Sequence, residues 1–138
     1  MANIPYYQQK DIENIKKLRE MMKALPPFCT EFFRGIEPRT STRTRIAYAY
    51  DLSVFFDFLK KENPVFAKME RMDFKLEQLD QITVTDLEEY MEYLKYRFNE
   101  QNHEIMNQER GIMRKISSLK SFYNYFFRTE KLTTNPAA

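Results

Sequence analysis

The 138-residue sequence is poor in the residues that form tight turns or bind metals. It has 2 glycines, 6 prolines, no tryptophan, one cysteine and one histidine. Because hairpin turns depend on glycine, this composition disfavours a sheet and favours helices with short connections. A lone cysteine cannot form an internal disulfide, and Cys29 with His103 is a poor set of metal ligands. The sequence therefore predicts no metal site and no cofactor.

Long apolar runs are also missing. No run approaches the ~20 residues that a membrane-spanning helix needs, and the N-terminal residues lack the apolar core of a signal peptide. These absences predict a cytoplasmic protein with no membrane partner. The 43% hydrophobic content is enough for one chain of this length to bury a core, and the predicted fold class is all-α.

Apolar residues at helical spacing predict five helices. Their approximate ranges are 8–25, 27–36, 42–61, 83–98 and 108–129, with Asn107 as the expected N-cap of the last. Residues 64–82 have mixed periodicity, which predicts a loop with one or two short turns.

Charge is segregated along the chain, although the formal net charge is only +2. Residues 38–50 carry three arginines and no acid, and residues 110–128 carry five basic residues and no acid. Residues 84–100, by contrast, carry five acids against two bases. If the third and last helices lie side by side, their polar faces form one basic, hydroxyl-rich surface. Such a surface suits a phosphate backbone.

The first turn of the third helix has an unusual charge. Arg43 and Arg45 lie where the helix dipole disfavours cations, at a cost of ~0.3–1 kcal/mol each when exposed. We hypothesise that a bound polyanion neutralises both arginines.

Three separated segments carry recognisable motifs. Residues 44–59, TRIAYAYDLSVFFDFL, contain Thr-x-x-x-Tyr-x-x-Asp-Leu-x-x-Phe, and residues 114–138 contain Arg-x-x-Ser-x-Leu-x-x-Phe-Tyr-x-Tyr followed by a loop ending in Asn-Pro. Together with residues 79–94 they resemble the core-binding domain of tyrosine recombinases, the family of phage and transposon integrases and chromosome-dimer resolvases. The resemblance spans roughly residues 25–138.

That resemblance implies a SAM-like orthogonal bundle of four to five helices. Residues 1–25 would be an N-terminal extension and residues 26–138 the core-binding domain. The family's DNA-facing helices correspond to residues 40–61 and 108–129. Its catalytic residues lie in a separate domain beyond the Asn-Pro linker, whereas this chain stops at Ala138, so the chain alone is not expected to be an enzyme.

The resemblance also implies the partners of a mobile-element recombinase. These are double-stranded DNA of a recombination half-site and, in the full-length protein, other recombinase protomers, with no small-molecule substrate. Charge and resemblance together select candidate DNA-binding residues on the two basic helices and the turn before the first. They are Arg39, Thr42, Arg43, Thr44, Arg45, Arg110, Arg114, Lys115, Ser118, Lys120 and Ser121. One of Arg114, Lys115 and Lys120 is expected to face solvent away from DNA.

No residue is predicted to be catalytic. The tyrosines at helical spacing are expected in the core, and a tyrosine nucleophile needs converging arginines and a general acid, for which no His-x-x-Arg spacing exists. The main alternative is a small helical adaptor that binds other proteins, because fold does not fix function. A self-sufficient enzyme would nick supercoiled plasmid, and no nicking is expected.

Overall fold

The helices follow the apolar periodicity of the sequence. The computed structural model describes residues 5–99 and 101–138. Its α-helices are α1 (Tyr6–Lys23), α2 (Cys29–Ile36), α3 (Thr42–Glu62), α4 (Pro64–Ala67), α5 (Val84–Lys95) and α6 (Glu109–Arg128). Short 3-10 helices cover Glu37–Arg39, Arg71–Asp73 and Leu76–Gln81, and strands β1 (Arg97–Phe98) and β2 (Glu104–Ile105) pair antiparallel. The all-α fold predicted from the sequence is confirmed.

Side-chain caps fix where α3, α4 and α5 begin. The Ser41 hydroxyl accepts a 3.1 Å hydrogen bond from the Thr44 amide, and Asn63 accepts one of 2.9 Å from an amide of α4. Thr83 and Asp86 form a capping box, with bonds of 3.2 and 2.8 Å. Each cap stabilises its helix by about 0.5–2 kcal/mol. The cap on α3 holds the turn that carries several predicted site residues.

The core is built from aromatic rings of α2, α3 and α6. Phe122 is central, because its ring centroid lies 5.1 Å from Phe126, 5.4 Å from Phe32 and 6.2 Å from Phe56. Edge-to-face pairs at such distances add about 0.5–1.5 kcal/mol each beyond the burial of their area. This packing determines how α3 and α6 lie against each other.

The N-terminal helix α1 packs along α3. Its Leu18 is buried, and Met21 and Met22 pack against the common core. The division of the chain into an extension of residues 1–25 and a domain of residues 26–138 stays a prediction.

Two connections differ from the sequence expectation. The segment 64–82 contains α4 and two 3-10 helices, and its Phe66 and Phe74 stack edge to face at 4.7 Å in the core. The helix predicted over residues 83–98 is α5, which ends at Lys95, so Phe98 lies in the hairpin and is 44% exposed. The hairpin turn closes on Asn99, whose side-chain oxygen accepts two backbone amide hydrogen bonds from that turn.

The C-terminal segment is fixed to the body of the protein. Leu132 is buried, and Asp80 accepts hydrogen bonds of 2.9 Å from the Thr133 amide and 3.0 Å from the Thr134 amide. Partial burial acts to raise the pKa of Asp80, but the hydrogen bonds from Thr134 and Thr133 outweigh it and hold that pKa below its usual value.

Cys29, the first residue of α2, is buried in the core. Burial raises the pKa of its thiol far above the usual value, and the nearby Arg71 offsets this only in part. Within residues 5–99 and 101–138, no three His, Cys, Asp or Glu side chains are grouped so as to hold a metal ion. None of the helices in these two ranges is long and apolar enough to cross a membrane.

Candidate nucleic-acid interface

The two basic helices, α3 and α6, lie side by side and are joined through Asp51. One carboxylate oxygen of Asp51 accepts a 2.6 Å hydrogen bond from the Ser118 hydroxyl. The other lies 3.1 Å from the Arg114 guanidinium and 3.4 Å from the Lys115 ammonium. Asp51, Lys115 and Ser118 are each only 2% exposed. Because a buried carboxylate is stable only when paired and hydrogen-bonded, these contacts fix the register of α3 against α6.

The surroundings of Asp51 carry more positive than negative charge. Arg114 and Lys115 both contact the single carboxylate, and the charge of the buried Arg97 also acts on Lys115. Burial lowers the pKa of Lys115, and Arg114 and Arg97 lower it further, while Asp51 acts in the opposite direction. The Tyr50 ring covers Lys115, with Nζ 4.9 Å from the ring centroid. An anion approaching this region would meet an excess of cationic charge.

The outer side of α6 carries a continuous polar stripe. Its members are Arg110, Arg114, Ser117, Ser121 and Arg128, which follow one another at helical spacing. At 3.6 residues per turn they lie within about 60° of one another and cover about 27 Å of helix length. The stripe contains no acid, and its three arginines are exposed.

The outer side of α3 repeats the same spacing. Arg43, Ala47, Tyr50 and Val54 lie within about 60° of one another, and Arg43 and Tyr50 are exposed. We name these four residues, together with the α6 stripe, the α3/α6 face. The face presents arginines and hydroxyls on one helix and an arginine with an aromatic ring on the other.

Arg45 has an intramolecular role. Its guanidinium donates hydrogen bonds of 2.7 Å to the Thr40 carbonyl and 3.2 Å to the Glu37 carbonyl. It also donates bonds of 3.1 Å to the hydroxyls of Thr40 and Thr42. These bonds tie α3 to the turn before it, so no polyanion is needed to explain Arg45. Arg43 is exposed, so the hypothesis that a bound polyanion neutralises it stays a prediction.

The eleven predicted site residues divide by exposure. Arg39, Arg43, Arg110, Arg114 and Lys120 are exposed, Thr42, Thr44 and Ser121 are half-buried, and Arg45, Lys115 and Ser118 are buried. The polar atoms of the three buried residues are engaged by partners within the chain. Direct DNA contact by these three stays a prediction, which the geometry disfavours; their contacts support the face from beneath.

Not all exposed members belong to the face. Lys120 follows Ser118 by two residues, or about 200° of helical rotation, so it lies on the side of α6 away from α3. One of Arg114, Lys115 and Lys120 is expected to face away from DNA, and Lys120 is the one that lies on the side of α6 away from α3. Arg39 lies in the 3-10 helix before α3.

Sequence reasoning missed three members of the interface. It gave no role to Asp51, Tyr50 or Arg97. Asp51 has a sequence signal, since it is the first acid after the acid-free residues 38–50 and lies within the Tyr-x-x-Asp-Leu motif. Arg97 donates a hydrogen bond to the side chain of Asn107, the expected N-cap of the last helix, and the cap is instead Gln108.

A comparison with protein families identifies the chain. The family described as "Phage integrase, N-terminal SAM-like domain" matches residues 30–130. That span includes both helices of the α3/α6 face. The chain belongs to this family. The SAM-like fold and the core-binding domain of tyrosine recombinases, both predicted from the sequence, are thereby confirmed.

Similar curated proteins carry one name, "Tyrosine recombinase XerC". The protein from Caldanaerobacter subterraneus subsp. tengcongensis is 36% identical over 130 residues, which are 88% of this chain and 35% of the relative. That from Anoxybacillus flavithermus is 29% identical over 103 residues, 75% of this chain and 28% of the relative. That from Leptospira interrogans serogroup Icterohaemorrhagiae serovar copenhageni is 36% identical over 104 residues, 74% of this chain and 26% of the relative.

The chain thus spans between 26% and 35% of the length of these three relatives. No solved structure matches it significantly. The family description and the relatives' shared name connect the chain's family with phage integrases and tyrosine recombinases.

Proposed function

We propose that the α3/α6 face binds duplex DNA at a recombination half-site. The observation that carries the proposal is the Asp51 bridge, because it holds two acid-free stripes next to each other with their arginines exposed. Membership in the tyrosine recombinase core-binding family supports the same role.

Two kinds of contact are expected from this face. Arg43, Arg110 and Arg128 would bind phosphates, and the hydroxyls of Ser117 and Ser121 would donate to phosphate oxygens, which gives affinity and register. An α-helix fits the major groove, where an arginine can donate two hydrogen bonds to a guanine edge. Arg114 would approach DNA already oriented by Asp51.

The remaining predicted residues take other roles in the proposal. Thr42 and Thr44 bond to Arg45 and Ser41, and they would contact DNA only beside Arg43 at the start of α3. Lys120 and Arg39 would add long-range attraction. This chain would bind DNA without cutting it, whereas strand cleavage and contacts with other recombinase protomers would belong to a longer parent protein.

Fluorescence anisotropy with a labelled duplex of about 30 base pairs, at several salt concentrations, tests the proposal. If four to six phosphates are neutralised, log affinity should fall with log salt at a slope of about −4 to −5. The double variant Arg43→Gln/Arg110→Gln removes one exposed cation from each helix. It should bind roughly tenfold or more weakly and make the slope shallower by about two.

A charge-matched control is Lys17→Gln/Lys68→Gln, which removes two exposed lysines outside α3 and α6. Its affinity and slope should stay near those of the unchanged protein. Equal losses in both double variants would mean that binding follows net charge and not the face. No measurable DNA binding at low salt would favour the helical adaptor.

A further inference from the structure

A second surface lies between α5 and α6. It is an open groove of about 760 Å³. The residues that line it come from the length of α5, from the start of α6 and from the two residues before α6. They are Thr85, Glu88, Glu89, Met91, Glu92, Lys95, Asn107, Gln108, Glu109, Ile112 and Met113.

The groove has an apolar floor and an acidic rim. Met91, Ile112 and Met113 supply the apolar surface, and Met113 is 51% exposed. The rim carries the four glutamates of that lining against one lysine, Lys95, which lies 2.9 Å from Glu92. A partner would therefore need apolar side chains flanked by positive charge.

This groove is separate from the α3/α6 face. On α6, Glu109 precedes Ser118 by nine residues, or about 180° of rotation beyond whole turns, so the groove lies opposite α3. Neither Asp51 nor any residue of the α3/α6 face lines it. Both surfaces could be occupied at once.

The shape of the groove suits a helix. From Thr85 to Lys95 its α5 wall spans eleven residues, a rise of about 15 Å, which is close to three helical turns. An amphipathic helix of this length presents apolar side chains at i, i+3, i+4 and i+7, enough to cover a floor of two methionines and an isoleucine. Methionine side chains adapt well to such partners.

We propose that the α5/α6 groove docks a cationic amphipathic helix of a partner protein. The partner's apolar stripe lies on Met91, Ile112 and Met113, and its Lys or Arg residues face the glutamates of the rim. This role goes beyond DNA binding and does not depend on it.

The test uses a designed peptide of about 18 residues, with leucines at i, i+3, i+4 and i+7 and lysines on both flanks of that stripe. Methyl-labelled methionines report its position by NMR. Met91 and Met113 should shift on titration, whereas Met69 and Met72, which lie outside the groove, should not. The shifts should persist when the protein is saturated with duplex DNA.

Two charge-matched variants measure the contribution of the rim. Glu88→Gln/Glu92→Gln should weaken peptide binding about fivefold, because it removes two exposed charge pairs. The control Glu70→Gln/Glu77→Gln removes two exposed acids outside the groove and should change binding by less than about twofold.

Other outcomes would overturn the proposal. A scrambled peptide of the same composition that binds equally well would show simple charge attraction. Equal weakening of peptide binding in Glu88→Gln/Glu92→Gln and in Glu70→Gln/Glu77→Gln would also show simple charge attraction. If Met91 and Met113 shift with protein concentration alone, and sedimentation shows dimers, the groove is covered by a second copy of the chain. Absence of binding at millimolar peptide would exclude a helix-docking groove.

Discussion

Asp51 of α3 and Ser118 of α6, two residues that are each 2% exposed, form a 2.6 Å hydrogen bond between their side chains. The two residues are separated by 67 positions in the sequence, yet they set the register of the two helices that form the α3/α6 face. Stability and DNA binding should therefore be linked at this point.

The first prediction concerns the buried charge pair of Asp51 and Lys115. Asp51→Ala should lower the free energy of unfolding by about 3–5 kcal/mol, since it leaves Lys115 buried without its carboxylate. Adding Lys115→Met should recover part of that loss because no isolated charge then remains. Urea denaturation of the single and double variants gives the coupling energy, expected to be at least about 1 kcal/mol. Additive losses would contradict the pairing.

The second prediction compares two buried tyrosines. Tyr90 and Tyr123 are both fully buried, but Tyr123 donates a 3.1 Å hydrogen bond to the Leu79 carbonyl, whereas the Tyr90 hydroxyl has no hydrogen-bond partner within residues 5–99 and 101–138. Tyr123→Phe should lower stability by about 1 kcal/mol. Tyr90→Phe should leave stability unchanged or raise it by up to about 1 kcal/mol, because an unpaired buried hydroxyl is costly. Equal losses in thermal denaturation would refute the distinction.

The third prediction separates two arginines of the same helical turn. Arg45→Met should lower the free energy of unfolding by about 2–3 kcal/mol through its lost hydrogen bonds, while the DNA affinity of the folded protein stays nearly constant. Arg43→Met should do the reverse, with a stability change within about 0.5 kcal/mol and a clear loss of affinity. Chemical denaturation of both variants measures the free energy of unfolding, and fluorescence anisotropy measures their DNA affinity. A large loss of DNA affinity in folded Arg45→Met would show that Arg45 contacts DNA directly.

The fourth prediction compares two cations of α6. Arg128 lies on the α6 stripe, and Lys120 lies on the side away from α3. Arg128→Gln should make the salt slope of DNA binding shallower by about one, the value for one lost phosphate contact. Lys120→Gln should alter the slope much less. Matching slopes in the two variants would mean that DNA wraps further around α6 than the α3/α6 face allows.

The fifth prediction concerns pH. Because the folded pKa of Asp80 is below its usual value of about 3.9, its charge stabilises the fold above that pH, and the contribution disappears as pH falls through the folded pKa. The stability difference between the unchanged protein and Asp80→Asn should therefore shrink from about pH 5 toward pH 2. Amide exchange at Thr133 and Thr134 should be faster in Asp80→Ala. A difference independent of pH would show that the charge of Asp80 does not matter.

Much of the helical framework could be predicted from local sequence. The start of α3 at Thr42 follows from the hydroxyl residues before it, and the capping box of Thr83 and Asp86 marks α5. The apolar spacing of residues 108–129 predicts a buried face for α6, but spacing alone does not show that Phe122 lies at the centre of the aromatic core. The hairpin was missed because strands of two residues leave too short an alternation to detect.

The candidate site could be predicted only in part. Segregated charge located both helices, but counting charges treats Lys115 and Arg45 as surface residues. Their burial depends on partners elsewhere in the fold, and for Lys115 the partner, Asp51, is 64 positions away. Such pairing is a tertiary property that no local window contains. The same holds for Lys120, whose side of the helix matters only once the position of α3 is known.

The buried thiol of Cys29 is a natural reporter of transient opening of the core. Because the chain has a single cysteine and its side chain is buried at the start of α2, we expect an alkylating reagent to reach it only when the core opens around α2. The labelling rate of the unmodified protein therefore measures how often the core opens, and ligands that brace the bundle will slow it.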